Sequence, residues 1–171
     1  SRDLIKENGW AAVSIRAVAS RCSVSAGTIY NYYESKADLL SDTIESIWHE
    51  IFFHPEDEQV FHDVESCISW IYERLEYGNR QFPGFFSLHS FGFMRDEKTS
   101  GKKRMMKTWG HILNGLCEVL ENDPKVRADV FDQEFTEKKF ADILFSLILV
   151  SMIRQDYDPS SVLMLVKKTL Y

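Results

Sequence analysis

The sequence predicts an all-α protein in two parts, a small three-helix head at the N-terminus and a larger helical bundle after it. Three observations carry this expectation. Apolar residues recur at the i, i+3, i+4, i+7 spacing of amphipathic helices along most of the chain. Runs that alternate with a period of two, the mark of a half-buried strand, do not stand out. The composition, 44% hydrophobic and 27% charged with 4 Pro and 8 Gly, is that of a globular chain, and 171 residues suffice to bury a substantial core.

Taken in order, Leu4 and Ile5 followed by Asn8-Gly9 read as the last turns of a helix stopped by glycine. Ser14 offers an N-cap oxygen to a second helix on which Ile15, Val18, Ala19 and Cys22 share a face. Ser25 caps a third, where Ala26, Gly27 and Thr28 keep the first turn small and Ile29 points inward. The short turn between them, with small Ala19 where the helices cross, makes a helix-turn-helix. Ser35 and Asp38 form an acidic capping box for a fourth helix, striped by Leu39, Leu40, Ile44, Ile47, Trp48 and Ile51 and broken at Pro55. Beyond it, Val60 to Tyr77 aligns Val60, Val64, Cys67, Ile68, Ile71 and Leu75. A short aromatic segment, RQFPGFFSLHSFGF, leads to an amphipathic helix over Met105 to Leu120 and then to a polar connection over 121–135. Phe140 to Ile153 is apolar nearly all round, which predicts burial on more than one side. Asp158-Pro159, as N-cap and first helical residue, opens the last helix.

Several classes are disfavoured. A net charge of −6 argues against non-specific nucleic-acid binding, so any DNA contact has to be local. The 3 cysteines, Cys22, Cys67 and Cys117, are widely spaced and support neither a disulfide framework nor a zinc site, which fits a reducing, cytoplasmic setting. Cys22 reads as a small buried apolar residue. Glu45 and His49 with His54 and His62 lack a second convergent pair, so no metal site is predicted. Lys102, Lys103, Arg104 and Lys107 read as a solvated helix face. No phosphate loop, nucleophile elbow or HExxH appears, so an enzyme is not expected and no cofactor is implied. The apolar run at 143–153 is too short for a membrane span of ~20 residues. The chain starts inside a helix without an initiator Met, and native residues are expected to precede it.

The stretch GWAAVSIRAVASRCSVSAGTIYNYYESKADLL closely resembles the head of the tetracycline-repressor (TetR) family of bacterial transcriptional regulators. The ordered combination of Gly-aromatic, Ser-Ile, small-Gly-Thr-Ile-Tyr, an aromatic pair and Lys-x-x-Leu carries the resemblance over roughly the first quarter of the chain. It implies a recognition helix from Ser25 to about Tyr32 that enters the major groove. Thr28, Tyr30 and Asn31 would face bases, Ala26 and the Thr28 methyl could touch thymine methyls, and Gly27 would let backbone approach backbone. Ser14, Ser25, Tyr30, Tyr32 and Lys36 sit where the family contacts phosphates. Ile15, Val18, Val24, Ile29 and Tyr33 would form the small core. This chain departs from the family at Ser23, where Gly is usual, at Ala26, which replaces a frequent Lys, and at Glu34, an acid beside the phosphates.

The resemblance further implies residues 1–46 as a DNA-binding domain and 47–171 as an effector-binding and dimerising domain. Trp70, Phe85, Phe86, Phe91, Phe93, Trp109 and His111 are candidates to line an apolar effector cavity, although each also reads as ordinary core. A four-helix dimer interface from about 136–155 and 159–170 would use Phe140, Ile143, Leu144, Leu147, Val150, Val162, Leu163 and Val166. The expected function is a ligand-responsive repressor that binds a palindromic operator as a homodimer and is released by a small apolar or amphipathic effector. The fourth helix, about 36–53, would couple body to head. Two rivals stay open: a helical binding or adaptor protein, favoured by the acidic head, and a DNA-organising protein that answers to no metabolite.

Overall fold

The computed structural model describes residues 1–52, 61–86 and 100–171, the stretch 100–108 by its backbone alone except for Met106. Phe91, Phe93, His54 and the side chains of Lys102, Lys103, Arg104 and Lys107 lie outside the described residues. The elements described are α1 (Arg2–Asn8), a single 3-10 turn (Trp10–Ala12), α2 (Ile15–Arg21), α3 (Ala26–Tyr30), α4 (Lys36–Phe52), α5 (Val64–Gln81), α6 (Ser100–Asn122), α7 (Glu137–Arg154) and α8 (Ser160–Leu170), with no strand among them. The all-α expectation holds.

The chain divides into two compact units, Ser1–His54 with Tyr77–Thr108 and Pro55–Glu76 with Trp109–Tyr171, so the dividing points fall inside α5 and α6. In the first unit, α1 ends at Gly9 with φ 77°, a backbone conformation that favours glycine. α4 buries Leu39, Leu40, Ile44, Ile47, Trp48, Ile51 and Phe52, the expected stripe extended by one residue. Arg2 and Lys6 of α1 both donate to Glu50 of α4, at 2.9 and 2.7 Å. The C-terminal end of α5 approaches α4 so closely at Gly78 that a Cβ there would lie 2.5 Å from Ile51 Cδ1 and 3.2 Å from Phe86 Cε2. Around that contact Trp48 gathers Phe52, Phe85 and Phe86 at ring separations of 5.5, 5.8 and 5.7 Å.

The second unit is knotted at Asp123. This buried carboxylate accepts hydrogen bonds from Val64 N–H at 3.0 Å, Lys125 N–H at 2.9 Å and Tyr171 O–H at 2.5 Å, so its burial is compensated. It thereby ties the start of α5 to the end of α8. Asp63 caps α5 through Ser66 N–H at 2.7 Å, and the Lys125 ammonium bonded to it at 2.9 Å draws its carboxyl down to about 2. α5 buries Val64, Cys67, Ile68, Ile71, Tyr72 and Leu75, and the Tyr72 hydroxyl meets Ser151 Oγ of α7 at 2.8 Å.

Three local expectations are corrected. Cys22, placed on the buried face of α2 by periodicity, and Val24, placed in the head core by the resemblance, are exposed, Val24 at 39%. Both lie at the end of α2, where the chain reverses direction and carries them off the buried face. α8 begins at Ser160 with Pro159 before it, although Asp158 still accepts from Ser160 N–H at 2.9 Å. α7 buries one face, including Phe140, Leu144 and Ile148, but leaves Ile143, Val150 and Ile153 exposed, so it is not enclosed all round.

The Gly78 contact yields the first prediction. Ile51 is fully buried and cannot swing away, so Gly78→Ala should overpack the α4–α5 crossing and destabilise the protein by ~1–3 kcal/mol. Shortening the opposing side chain with Ile51→Val should recover part of that loss. Thermal melts of the two single variants and the double variant would measure the coupling, and strictly additive losses would contradict it.

Candidate nucleic-acid interface

The recognition surface rests on two short helices that local chemistry holds in place. Ser14 Oγ accepts from Ala17 N–H at 3.1 Å, and Ser25 Oγ accepts from Thr28 N–H at 3.1 Å. Between them Ser23 adopts φ 55°, while Ser23 N–H bonds to Ser20 O at 3.1 Å and Val24 N–H to Ala19 O at 3.0 Å. That pair of bonds is the Schellman ending of a helix, with serine in the left-handed position that usually falls to glycine. Ile15, Val18, Ala19 and Ile29 are buried where α2 meets α3, as the sequence suggested.

The candidate DNA contacts fall on the outer side of this pair. Tyr30 is 55% exposed and Tyr32 78%, unusually high for residues with so much apolar surface. Gly27, Ser25, Asn31 and Lys36 are exposed as well, and Ser14, Ala26 and Thr28 are half-buried. Thr28 Oγ1 lies 2.9 Å from Ser25 Oγ, so the two hydroxyls orient one another. Tyr33, expected in the core, is half-buried and donates its hydroxyl to Asp42 at 2.9 Å.

Charge on the head is distributed less evenly than its totals suggest. Arg21 forks onto Glu7, whose carboxyl the guanidinium holds below its ordinary value, and Arg2 and Lys6 are engaged by Glu50. Arg16 and Lys36 are exposed and carry no ion pair among the described residues. Arg16, at the start of α2, was missed by sequence reasoning that only summed the charges. The signal was its place beside the Ser14 cap.

The family model described as "Bacterial regulatory proteins, tetR family" matches residues 1–43, which contain α1, α2, α3 and the start of α4. Residues 1–43 thus match the N-terminal domain of that family. Beyond the head, the fold of the chain is similar to that of a solved regulator over nearly its whole length. A transcriptional regulator FadR from Bacillus subtilis, solved in complex with stearoyl-CoA, superposes with a TM-score of 0.67 at 18% identity, covering 99% of this chain and 95% of that one. No curated protein matches the chain.

The body candidates are placed as follows. Phe85 and Phe86 are buried in the first unit, whereas Trp70, Trp109 and His111 belong to the second. There Trp70 meets Phe61 at 5.2 Å, Trp109 meets Phe145 at 5.8 Å, and His111 is exposed. Of the candidate interface residues, Phe140, Leu144, Val162 and Val166 are buried in the unit's own core, Leu147 and Leu163 are half-buried, and Ile143 and Val150 are exposed. Among the described residues, no group of His, Cys, Asp or Glu is placed to hold a metal ion, and no helix is long and apolar enough to cross a membrane.

The left-handed serine provides a test. Ser23→Gly should relieve the cost of a side chain in that conformation and stabilise the head by ~1 kcal/mol, read as a raised melting temperature. An unchanged or lower melting temperature would mean that the Schellman turn is not strained.

Proposed function

We propose that the protein is a repressor whose outer face on α2–α3 reads a palindromic operator as a homodimer, and whose body releases the DNA when it binds an amphipathic acyl thioester. The observation that carries the DNA contact is the exposure of Tyr30 at the end of α3, Asn31 and Tyr32 just after it and Lys36 at the start of α4, while buried Ile29 anchors the other side of α3. In this reading Thr28, Tyr30 and Asn31 face base edges, Ala26 and Gly27 allow close approach, and Ser14, Ser25, Tyr32, Lys36 and Arg16 engage phosphates. Residues 1–46 read DNA in this scheme and 47–171 sense and dimerise, a division of roles.

The dimer is supported by apolar surface left over on two helices. Ile143, Val150 and Ile153 on α7 are exposed together with Met164 and Leu165 on α8, and Leu147 and Leu163 are half-buried on the same helices. A second copy of the chain would cover them in a four-helix contact, around the buried Phe140, Leu144, Val162 and Val166 that brace it from within. Ile143→Asp with Val150→Asp should convert the dimer to a folded monomer in sedimentation, and an unchanged sedimentation coefficient would move the interface elsewhere.

The acyl thioester is chosen because the structural relative was solved with stearoyl-CoA and shares the fold over nearly the full length of both chains. Trp70, Trp109 and His111 of the second unit remain candidates to contact it. α4 is the first path to the head. If the ligand prefers a body state that spaces the two heads wrongly, operator affinity falls by that preference, typically ~1–3 kcal/mol.

The operator would be selected from genomic fragments and titrated across salt concentrations. Arg16→Ala and Lys36→Ala should each weaken binding and each lower the salt slope by about one unit, whereas Asn31→Ala should weaken binding at specific base pairs. Salt slopes identical to wild type would remove both cations from the interface. Stearoyl-CoA should weaken operator binding by the same factor by which operator weakens stearoyl-CoA binding, and unequal factors in a closed cycle would rule out simple two-state coupling.

A further inference from the structure

The segment Phe82-Pro83-Gly84-Phe85 lies well beyond the family match, yet it is built into the head. It follows directly on α5 and belongs to the same compact unit as the helix-turn-helix. Trp10 N–H donates to Pro83 O at 3.0 Å, a main-chain bond between the 3-10 turn that joins α1 to α2 and a residue far along the chain. Gly84 has φ 79°, which favours glycine, and a Cβ added there would sit 3.5 Å from Trp10 Cβ. The Phe85 ring meets Trp10 and Trp48 edge-on, each at 5.8 Å. Phe82 is wholly buried, and Lys6 of α1 stands over its ring at 5.0 Å.

We propose that Phe82, Pro83, Gly84 and Phe85 are positioning residues for operator binding, a strap that sets the pose of the helix-turn-helix by holding the Gly9–Trp10 turn. The turn leads through buried Val13 to Ser14, the N-cap of α2, so a shift at Trp10 is passed to the helix that orients α3. A polar anchor and an aromatic anchor act together here. The Trp10–Pro83 bond fixes distance, and the edge-on Phe85 contact fixes rotation. The strap is also continuous with α5, whose first part, Val64 to Glu76, belongs to the other unit.

The inference takes from the proposed function only that the protein binds an operator. Full-length Gly84→Ala and Phe85→Leu would be compared with Tyr72→Phe, which loses its bond to Ser151 in the other unit and serves as a stability control. Helix content should persist in all three. The two strap variants should lose operator affinity by about fivefold or more, while the control stays within about twofold of wild type at a comparable fall in melting temperature. In protein carrying 5-fluorotryptophan, the Trp10 resonance should move when operator is added to wild type, and the movement should shrink in Gly84→Ala.

Equal affinity in wild type and strap variants, or equal losses in strap variants and control, would reduce the segment to ordinary core and overturn the proposal. A wild-type protein that binds no selected operator would instead refute operator binding itself. The two failures are thus separable.

Discussion

Two hydroxyl oxygens, Ser14 Oγ and Ser25 Oγ, close the first turns of α2 and α3, and the recognition surface depends on them. These helices are 7 and 5 residues long, far below the length at which an isolated helix persists in water. Each cap contributes ~1 kcal/mol, and the buried contact among Ile15, Val18, Ala19 and Ile29 supplies the rest of what propensity cannot. The exposed Tyr30 and Tyr32 are affordable only because that inner contact is secure.

The local rules in the sequence were legible because they act over three or four residues. Ser14, Ser25 and Ser35 each cap the helix that follows, as expected, and among the described residues the apolar stripes of α4 and α5 bury those that their spacing aligned. Periodicity misled at Cys22 because a helical count was carried past the end of α2, which stops at Arg21. On α7 it reported apolar residues correctly but could not say which of them the unit itself would cover. Contacts between distant parts of the chain left no local trace. Asp123 looked like one acid in a polar connection, and nothing near Pro83 pointed to Trp10.

The candidate site was legible in a different way. Tyr30, Asn31, Tyr32 and Lys36 were reached through resemblance, and the exposure of the first three follows from α3 burying Ile29 alone. Arg16 escaped because charges were summed, whereas the structure separates engaged cations from free ones. Arg21 and Glu7 lie 14 positions apart, so no helical spacing rule could pair them.

Those internal ion pairs have a kinetic consequence. A chain of net charge −6 whose head keeps Arg2, Lys6 and Arg21 occupied presents little long-range attraction to a polyanion. Encounter with DNA then proceeds at rates typical of unsteered partners, on the order of 10⁵–10⁶ M⁻¹s⁻¹, with little residence on unrelated sequence. A regulator of this kind finds its site slowly and holds it through a low rate of departure, so the speed of the genetic response is governed by how the bound complex comes apart.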